Sequence, residues 1–225
     1  MQTLQINNLK ITIYAGNNRR ICYLLYPFDV LAGWAEGAAK KYDVSIAVLT
    51  GMDWNNALTP WKAPGVPTGT PDFKGEAQQF LTVLRESVLP QVEKSLTLPA
   101  DVERTLAGVS LSGLFTLWQW LVCDEFANII SLSGSFWYDG FVEWVKSRPL
   151  PEKSGRAYFL LGNKEAQSPV PQFRTVQTDT EEVVEYLSAH GIRAIFELVP
   201  GNHYQYAEQR LNRSFAWMFG THGKD

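Results

Sequence analysis

The stretch Arg104-Thr-Leu-Ala-Gly108-Val-Ser110-Leu-Ser112-Gly-Leu-Phe115 passes from an apolar run to a helical pattern within a few residues. Such a strand-to-helix turn is sharp, strains the backbone of the residue at its apex and lifts that side chain above the edge of a sheet. Ser110 is at the apex, which makes it the candidate nucleophile. Strand and helix approach closely there, so the positions two before and two after must be small. Gly108 and Ser112 occupy them. The usual pattern is Gly-x-Ser-x-Gly, so Ser112 is a departure, and Gly113 beside it relieves the crowding. If Ser112 were the nucleophile, Leu114 would fill the crowded place. Ser133, in Ser131-Leu-Ser-Gly-Ser135, also has small neighbours, but Phe136-Trp137-Tyr138 follows where a helix would be needed. The plain alternative for Ser110 is a serine capping a helix.

Outward from this turn, apolar runs rich in β-branched and aromatic residues alternate with helical patterns. Strands are expected at Leu9–Tyr14, Arg20–Tyr26, Ser45–Leu49, Thr105–Val109, Ile129–Leu132, Ala157–Leu161 and Ala194–Leu198. Helices are expected at Val30–Lys40, Glu76–Lys94, Ser112–Asp124, Gly140–Lys146, Asp179–His190 and Tyr204–Phe219. Gly16-Asn17-Asn18 reads as the turn of an antiparallel hairpin between the first two strands. The alternation that follows predicts an α/β fold, a mostly parallel sheet with helices on both faces. The 225 residues suit one such domain, expected to span 1–225.

Composition narrows the function. Hydrophobic residues are 45% and the net charge is −3, with no run of Lys or Arg, so no nucleic-acid partner is expected. No apolar stretch approaches the ~20 residues that span a bilayer. The opening MQTLQINNLK lacks the pattern of a signal peptide, and a cytoplasmic location is expected. Cys22 and Cys123 sit in apolar segments and read as buried, reduced thiols. With three histidines not spaced around them, they suggest no metal site.

A serine nucleophile needs a base, and three histidines are available. His190 ends a helical pattern before Gly191, and His222 lies in a polar tail. His203 follows the apolar strand and the turn Pro200-Gly201-Asn202, at the carboxyl edge of the sheet. The acid should fall between Ser110 and His203. Glu165, in Gly162-Asn163-Lys164-Glu165 after a strand, is the first choice, Asp139 is the alternative, and Asp179 reads as a helix N-cap. The oxyanion formed on attack needs N–H donors. One would be Leu111, after the nucleophile. The other would come from Tyr26-Pro27-Phe28-Asp29, where Pro27 has no N–H and Phe28 or Tyr26 remains.

Between Gly51 and Gly75 the periodicity stops, and Pro60, Pro64, Pro67 and Pro71 accompany Trp54 and Trp61. A loop this long is commonly functional. Following a strand, it should line the site. Trp54, Trp61, Trp137, Tyr138 and Tyr204 are expected around Ser110, as aromatic walls for a bulky acyl group or simply as packing for the loop.

Six segments in this order resemble the putative-esterase family of α/β-hydrolases, which includes esterase D and the siderophore (enterobactin-type) esterases. They are Cys22-Tyr-Leu-Leu-Tyr-Pro, Trp54-Asn-Asn-Ala-Leu-Thr-Pro60-Trp61, Gly108-Val-Ser110-Leu-Ser-Gly113-Leu-Phe, Ser133-Gly-Ser-Phe-Trp137, Leu161-Gly-Asn-Lys-Glu165 and Gly201-Asn-His203. The resemblance implies an α/β-hydrolase fold and hydrolysis of a small-molecule ester through an acyl-enzyme, with no metal or organic cofactor. It leaves the natural ester and the oligomeric state open. A ligand-binding protein that has lost activity on this fold, or an acyltransferase using the same serine, are the rival readings.

Overall fold

The computed structural model describes residues 1–16, 19–28, 32–147, 149–150 and 155–220. Asn17, Asn18, Asp29, Val30 and His222, which entered the reading of the sequence, lie outside them.

Among the described residues, eight strands form one sheet: β1 (Gln2–Ile6), β2 (Leu9–Tyr14), β3 (Arg20–Leu25), β4 (Ser45–Thr50), β5 (Glu103–Val109), β6 (Asn128–Leu132), β7 (Arg156–Gly162) and β8 (Arg193–Val199). Their order is β1-β2-β4-β3-β5-β6-β7-β8. Pairing is antiparallel from β1 through β2 to β4 and parallel from there to β8. The central strands are apolar and buried because both faces are covered. Helices α1 (Ala32–Tyr42) and α7 (Ala207–Phe219) share one cluster with one face. Against the other face pack α2 (Ala77–Val83), α3 (Leu89–Leu96), α4 (Leu111–Val122), α5 (Phe141–Lys146) and α6 (Val176–Ala189). Side chains such as Trp120, Phe115 and Phe159 are fully buried, and each contributes roughly 2–3 kcal/mol of apolar burial.

The α/β architecture is as expected, but the hairpin is not where the sequence suggested. Strands β2 and β3 are not paired, because β4 lies between them. The antiparallel hairpin is β1 with β2, turning at Asn7-Asn8 with Asn7 at φ 52°. Asparagine tolerates that left-handed turn. Strand β1 escaped notice because Gln2, Thr3 and Gln5 make it polar, as suits the sheet's edge. The expected helix Glu76–Lys94 contains a π turn at Leu84–Val88. Pro90 has no N–H to continue an α ladder there. The last helix begins at Ala207 rather than Tyr204, since Tyr206 is left-handed (φ 63°). Cys22 is fully buried, which pushes its thiol up, while Cys123 is only partly buried, and neither forms a disulfide. Among the described residues, no helix is long and apolar enough to cross a membrane.

The chain order reverses between β3 and β5. Open α/β sheets bind ligands at the carboxyl ends of strands flanking such a switch point. Tyr26-Pro27-Phe28 leaves β3 there, and Ser110 leaves β5.

Candidate active site

Ser110 stands between β5 and α4 at φ 57°, ψ −124°. A non-glycine residue held there carries about 1–3 kcal/mol of strain. Its neighbours hold it in place. The Ser110 N–H donates to the Leu132 carbonyl (3.0 Å), and its own carbonyl accepts from Leu114 N (3.0 Å) and Ser135 N (3.1 Å). At Gly108 any side chain would collide with the Ser112 carbonyl, which explains the glycine. The hydroxyl of Ser110 lies 3.4 Å from Ser135 Oγ.

Ser112 is fully buried. Its Oγ accepts from the Val109 N–H at 2.7 Å and lies 2.9 Å from the Leu25 carbonyl and 2.8 Å from that of Val109. It ties the end of β3 to the elbow, a bond that glycine lacks. A hydroxyl so enclosed reaches no substrate.

The carboxylate of Glu165, with its side chain 3% exposed, is at the centre of the site. Its Oε2 meets His203 Nδ1 at 2.8 Å. Its Oε1 accepts from Gly162 N (2.7 Å), Ser133 Oγ (2.7 Å) and Arg210 Nη1 (2.8 Å). Burial pushes this carboxyl up. The hydrogen bond and charge of His203, with the bonds from Ser133 and Gly162, outweigh it and hold the group below its ordinary range. Asp139 is exposed at its own loop, and its backbone carbonyl accepts from Trp61 Nε1 at 2.9 Å. It is thus Glu165, not Asp139, that the fold brings to His203. Asp179 is not the cap of α6. It lies in the first turn, where burial, with Glu182 and Glu143 nearby, pushes it up to about 6.

Arg210 escaped the sequence reading. It is 5% exposed. Beside Glu165, its Nη1 donates to Ser133 Oγ (2.7 Å), and its Nη2 donates to the Asn202 carbonyl (2.6 Å). One guanidinium therefore grips both the acid and the loop that carries His203. Gly162 is needed beside it, since a side chain there would strike Arg210 and the Gly201 carbonyl.

Ser110 and His203 jointly line two clefts. One, of about 470 Å³, includes Trp137, Lys164, Phe173 and Tyr204. The other, of about 540 Å³, includes Tyr26, Phe28, Trp54 and Tyr204. The Tyr26 N–H is committed to the Leu49 carbonyl at 3.1 Å, which leaves Phe28 as the candidate donor on that loop, the other candidate being the Leu111 N–H that opens α4. Trp54, Trp137 and Tyr204 therefore sit at the site, Tyr204 being 89% exposed. Trp61 and Tyr138 line neither cleft. Tyr138 Oη donates to the Trp61 carbonyl at 2.6 Å, and the Trp61 ring packs against Tyr138, Phe141 and Trp144. They fasten the 51–75 loop to the segment after β6. Among the described residues no group of three or more His, Cys, Asp or Glu side chains is placed to hold a metal ion.

The sequence profile of the family described as "Putative esterase" matches residues 31–218. The uncharacterised protein YbbA of Bacillus subtilis (strain 168) is 24% identical over 195 residues, covering 82% of this chain and 78% of YbbA. Two solved structures share the fold. The siderophore hydrolase EstA from Aspergillus nidulans is 18% identical, with a TM-score of 0.75 over 96% of this chain and 91% of EstA. An IroE-like serine hydrolase from Shewanella oneidensis is 17% identical, with a TM-score of 0.77 over 97% of this chain and 79% of its own.

Two stability outcomes follow from this geometry. Ser112→Ala strips the Val109 N–H of its acceptor, and thermal unfolding should show a loss of about 1–3 kcal/mol. An unchanged midpoint would mean that the bond contributes nothing. For Glu165 the folded pKa lies below its ordinary 4.5. Its stabilisation is therefore fully present above that pH and lost as pH falls through the folded value. The melting difference between wild type and Glu165→Gln should be largest near neutrality and shrink below pH 4.5. A difference that grows on acidification would contradict the assignment.

Proposed function

Since the chain belongs to the putative-esterase family and is a carboxylic ester hydrolase, we propose that it cleaves its ester through an acyl-enzyme on Ser110, with His203 as base and Glu165 as the orienting acid. The observation that carries this is the 2.8 Å contact between Glu165 and His203 Nδ1, beside a strained serine that lines the same clefts as the imidazole. With Nδ1–H held by the carboxylate, Nε2 is left to take the Ser110 proton as Oγ attacks the ester carbonyl. The charge developing on that oxygen is met by the N–H groups of Leu111 and Phe28. His203 then gives its proton to the departing alkoxide, and the ester C–O bond breaks. Water, deprotonated by the same imidazole, attacks the acyl-serine, and the imidazolium returns that proton to Ser110 Oγ as the acyl C–Oγ bond breaks and the acid is released.

The aromatic clefts suit a bulky acyl or alkyl arm, and the fold shared with a siderophore hydrolase supports esters of that size. Loss of activity on a retained fold is not supported. The serine that replaces the usual glycine has a structural task, and the acid has its partner.

The protein should react with a fluorophosphonate probe and hydrolyse p-nitrophenyl acetate, and Ser110→Ala should abolish labelling and lower kcat by about 10⁴-fold or more. Labelling that survives the substitution would overturn the proposal, as would turnover seen only when an alcohol acceptor is added. Arg210→Lys keeps a charge but cannot bond Glu165, Ser133 and Asn202 at once. Misplacing a catalytic loop slightly is expensive in rate, so kcat should fall about 10- to 100-fold with a smaller change in KM. Wild-type kcat in that variant would remove Arg210 from the positioning of His203.

A further inference from the structure

The two clefts beside Ser110 differ in chemistry. The larger is walled by Phe28, Trp54, Leu132 and Leu211, and among the described residues that line it the fixed charge is that of Arg210, already engaged by Glu165 and Asn202. The smaller has an apolar side, Trp137 against Phe173 with ring centroids 4.6 Å apart, and a polar side made by Lys164, Gln167 and Asn202.

The polar side is held on a firm backbone. The Lys164 N–H donates to the Gly201 carbonyl (3.0 Å), and its own carbonyl accepts from Gln167 N (3.1 Å). Asn202 Oδ1 accepts from Tyr204 N (3.1 Å), which leaves the amide NH2 of that side chain for a ligand. Among the described residues, the charged ones lining this cleft are Lys164 and Glu165, together with the titratable His203. The carboxylate beside Lys164 in sequence cannot neutralise it. Glu165 is turned inward, with one oxygen given to His203 and the other shared among three donors. Its charge is matched by Arg210. The exposed Lys164 ammonium is therefore the uncompensated charge of the cleft, on a chain whose net charge is −3.

We propose that the smaller cleft receives a substrate arm carrying a carboxylate, with the carboxylate paired to Lys164 and the Asn202 amide and the body of the arm packed on Trp137 and Phe173. This rests on the serine-esterase reading above and names its substrate class: an ester with one apolar arm and one anionic arm. Free in water, such a carboxylate keeps its hydration. In the cleft it exchanges part of that hydration for a cation and amide donors on a half-enclosed surface. The gain is modest, of the size of an exposed to half-exposed ion pair, and salt-dependent.

The test compares 3-carboxyphenyl butyrate with phenyl butyrate, following release of 3-hydroxybenzoate or phenol at low ionic strength. The wild-type ratio of kcat/KM values should favour the anionic ester about three- to fivefold, mainly through KM, and should fall towards one in 0.5 M salt. In Lys164→Ala the ratio should fall to about one, and in Lys164→Glu below one. Lys62→Ala, which removes an exposed lysine outside this cleft, should leave the ratio as in wild type. Because both esters are read in the same variant, partial misfolding cancels. A wild-type ratio near one overturns the subsite, as does a ratio untouched by Lys164→Ala or lowered equally by Lys62→Ala. If phenyl butyrate is still turned over in a Ser110-dependent way, the esterase reading survives that failure. Absence of Ser110-dependent turnover of either ester overturns both.

Discussion

The buried carboxylate of Glu165 joins groups from four structural elements. Gly162 ends β7, Ser133 follows β6, Arg210 lies on α7, and His203 sits in the turn after β8. Taking an ionised carboxylate out of water costs several kcal/mol, and the cost is met only if its oxygens are fully bonded and a counter-charge lies at hand. Both conditions hold here, and each ties one more element to the group. The ends of three neighbouring strands and the last helix are thereby fixed relative to one another around a single group. The geometry of the imidazole follows from that fixing rather than from the turn Pro200-Gly201-Asn202 alone.

The elbow at Ser110 solves a second problem with different means. Positive φ at a serine is unfavourable, so the surroundings must over-determine it. They do so with three backbone hydrogen bonds, with the missing side chain at Gly108, and with the Ser112 hydroxyl. In the sequence Ser112 looked like a flaw, because the pattern specifies only that its position be small. The hydroxymethyl group of serine is still small, and its oxygen adds a bond to the end of β3, the strand that leads to Phe28. The departure thus couples the two loops from which the oxyanion donors are proposed to come.

What was legible in the sequence was whatever a short local pattern encodes. Small residues around Ser110, a histidine after the last strand and a carboxylate after the strand before it are properties of a few adjacent residues. So was the strand and helix alternation, within a few residues at each boundary. The hairpin was misread because pairing is decided by which strand slides between two others, and β4 does so from far along the chain. Arg210 left only a faint trace. On α7 it falls on the same stripe as Leu211, Ser214, Phe215 and Met218, all buried, so an arginine stands where the period asks for an apolar residue. A charge on an apolar stripe has to have a buried partner, and that inference could have been drawn. The aromatic residues could not have been sorted the same way. Trp54 and Trp61 are seven residues apart in one loop, yet one lines a cleft and the other is a fastener.

That division among the aromatics bears on what the loops can vary. Trp61, Tyr138 and Phe141 bind the long loop to the segment after β6, so the loop behaves as a wall rather than a lid. Below it the buried Glu165 carboxylate and Arg210 guanidinium are hydrogen-bonded to each other and to Ser133, Gly162, His203 and Asn202, and they tolerate little change. Phe28, Tyr204 and Lys164 stand on the exposed rim and Trp54 is half-buried beside them, where a substitution disturbs no buried charge and no strained backbone. Specificity can therefore drift in this fold without the catalytic geometry moving. The two are separated by depth: the carboxylate and guanidinium are buried beneath the partly exposed imidazole, and the residues proposed to meet the arms of the ester are nearer the surface.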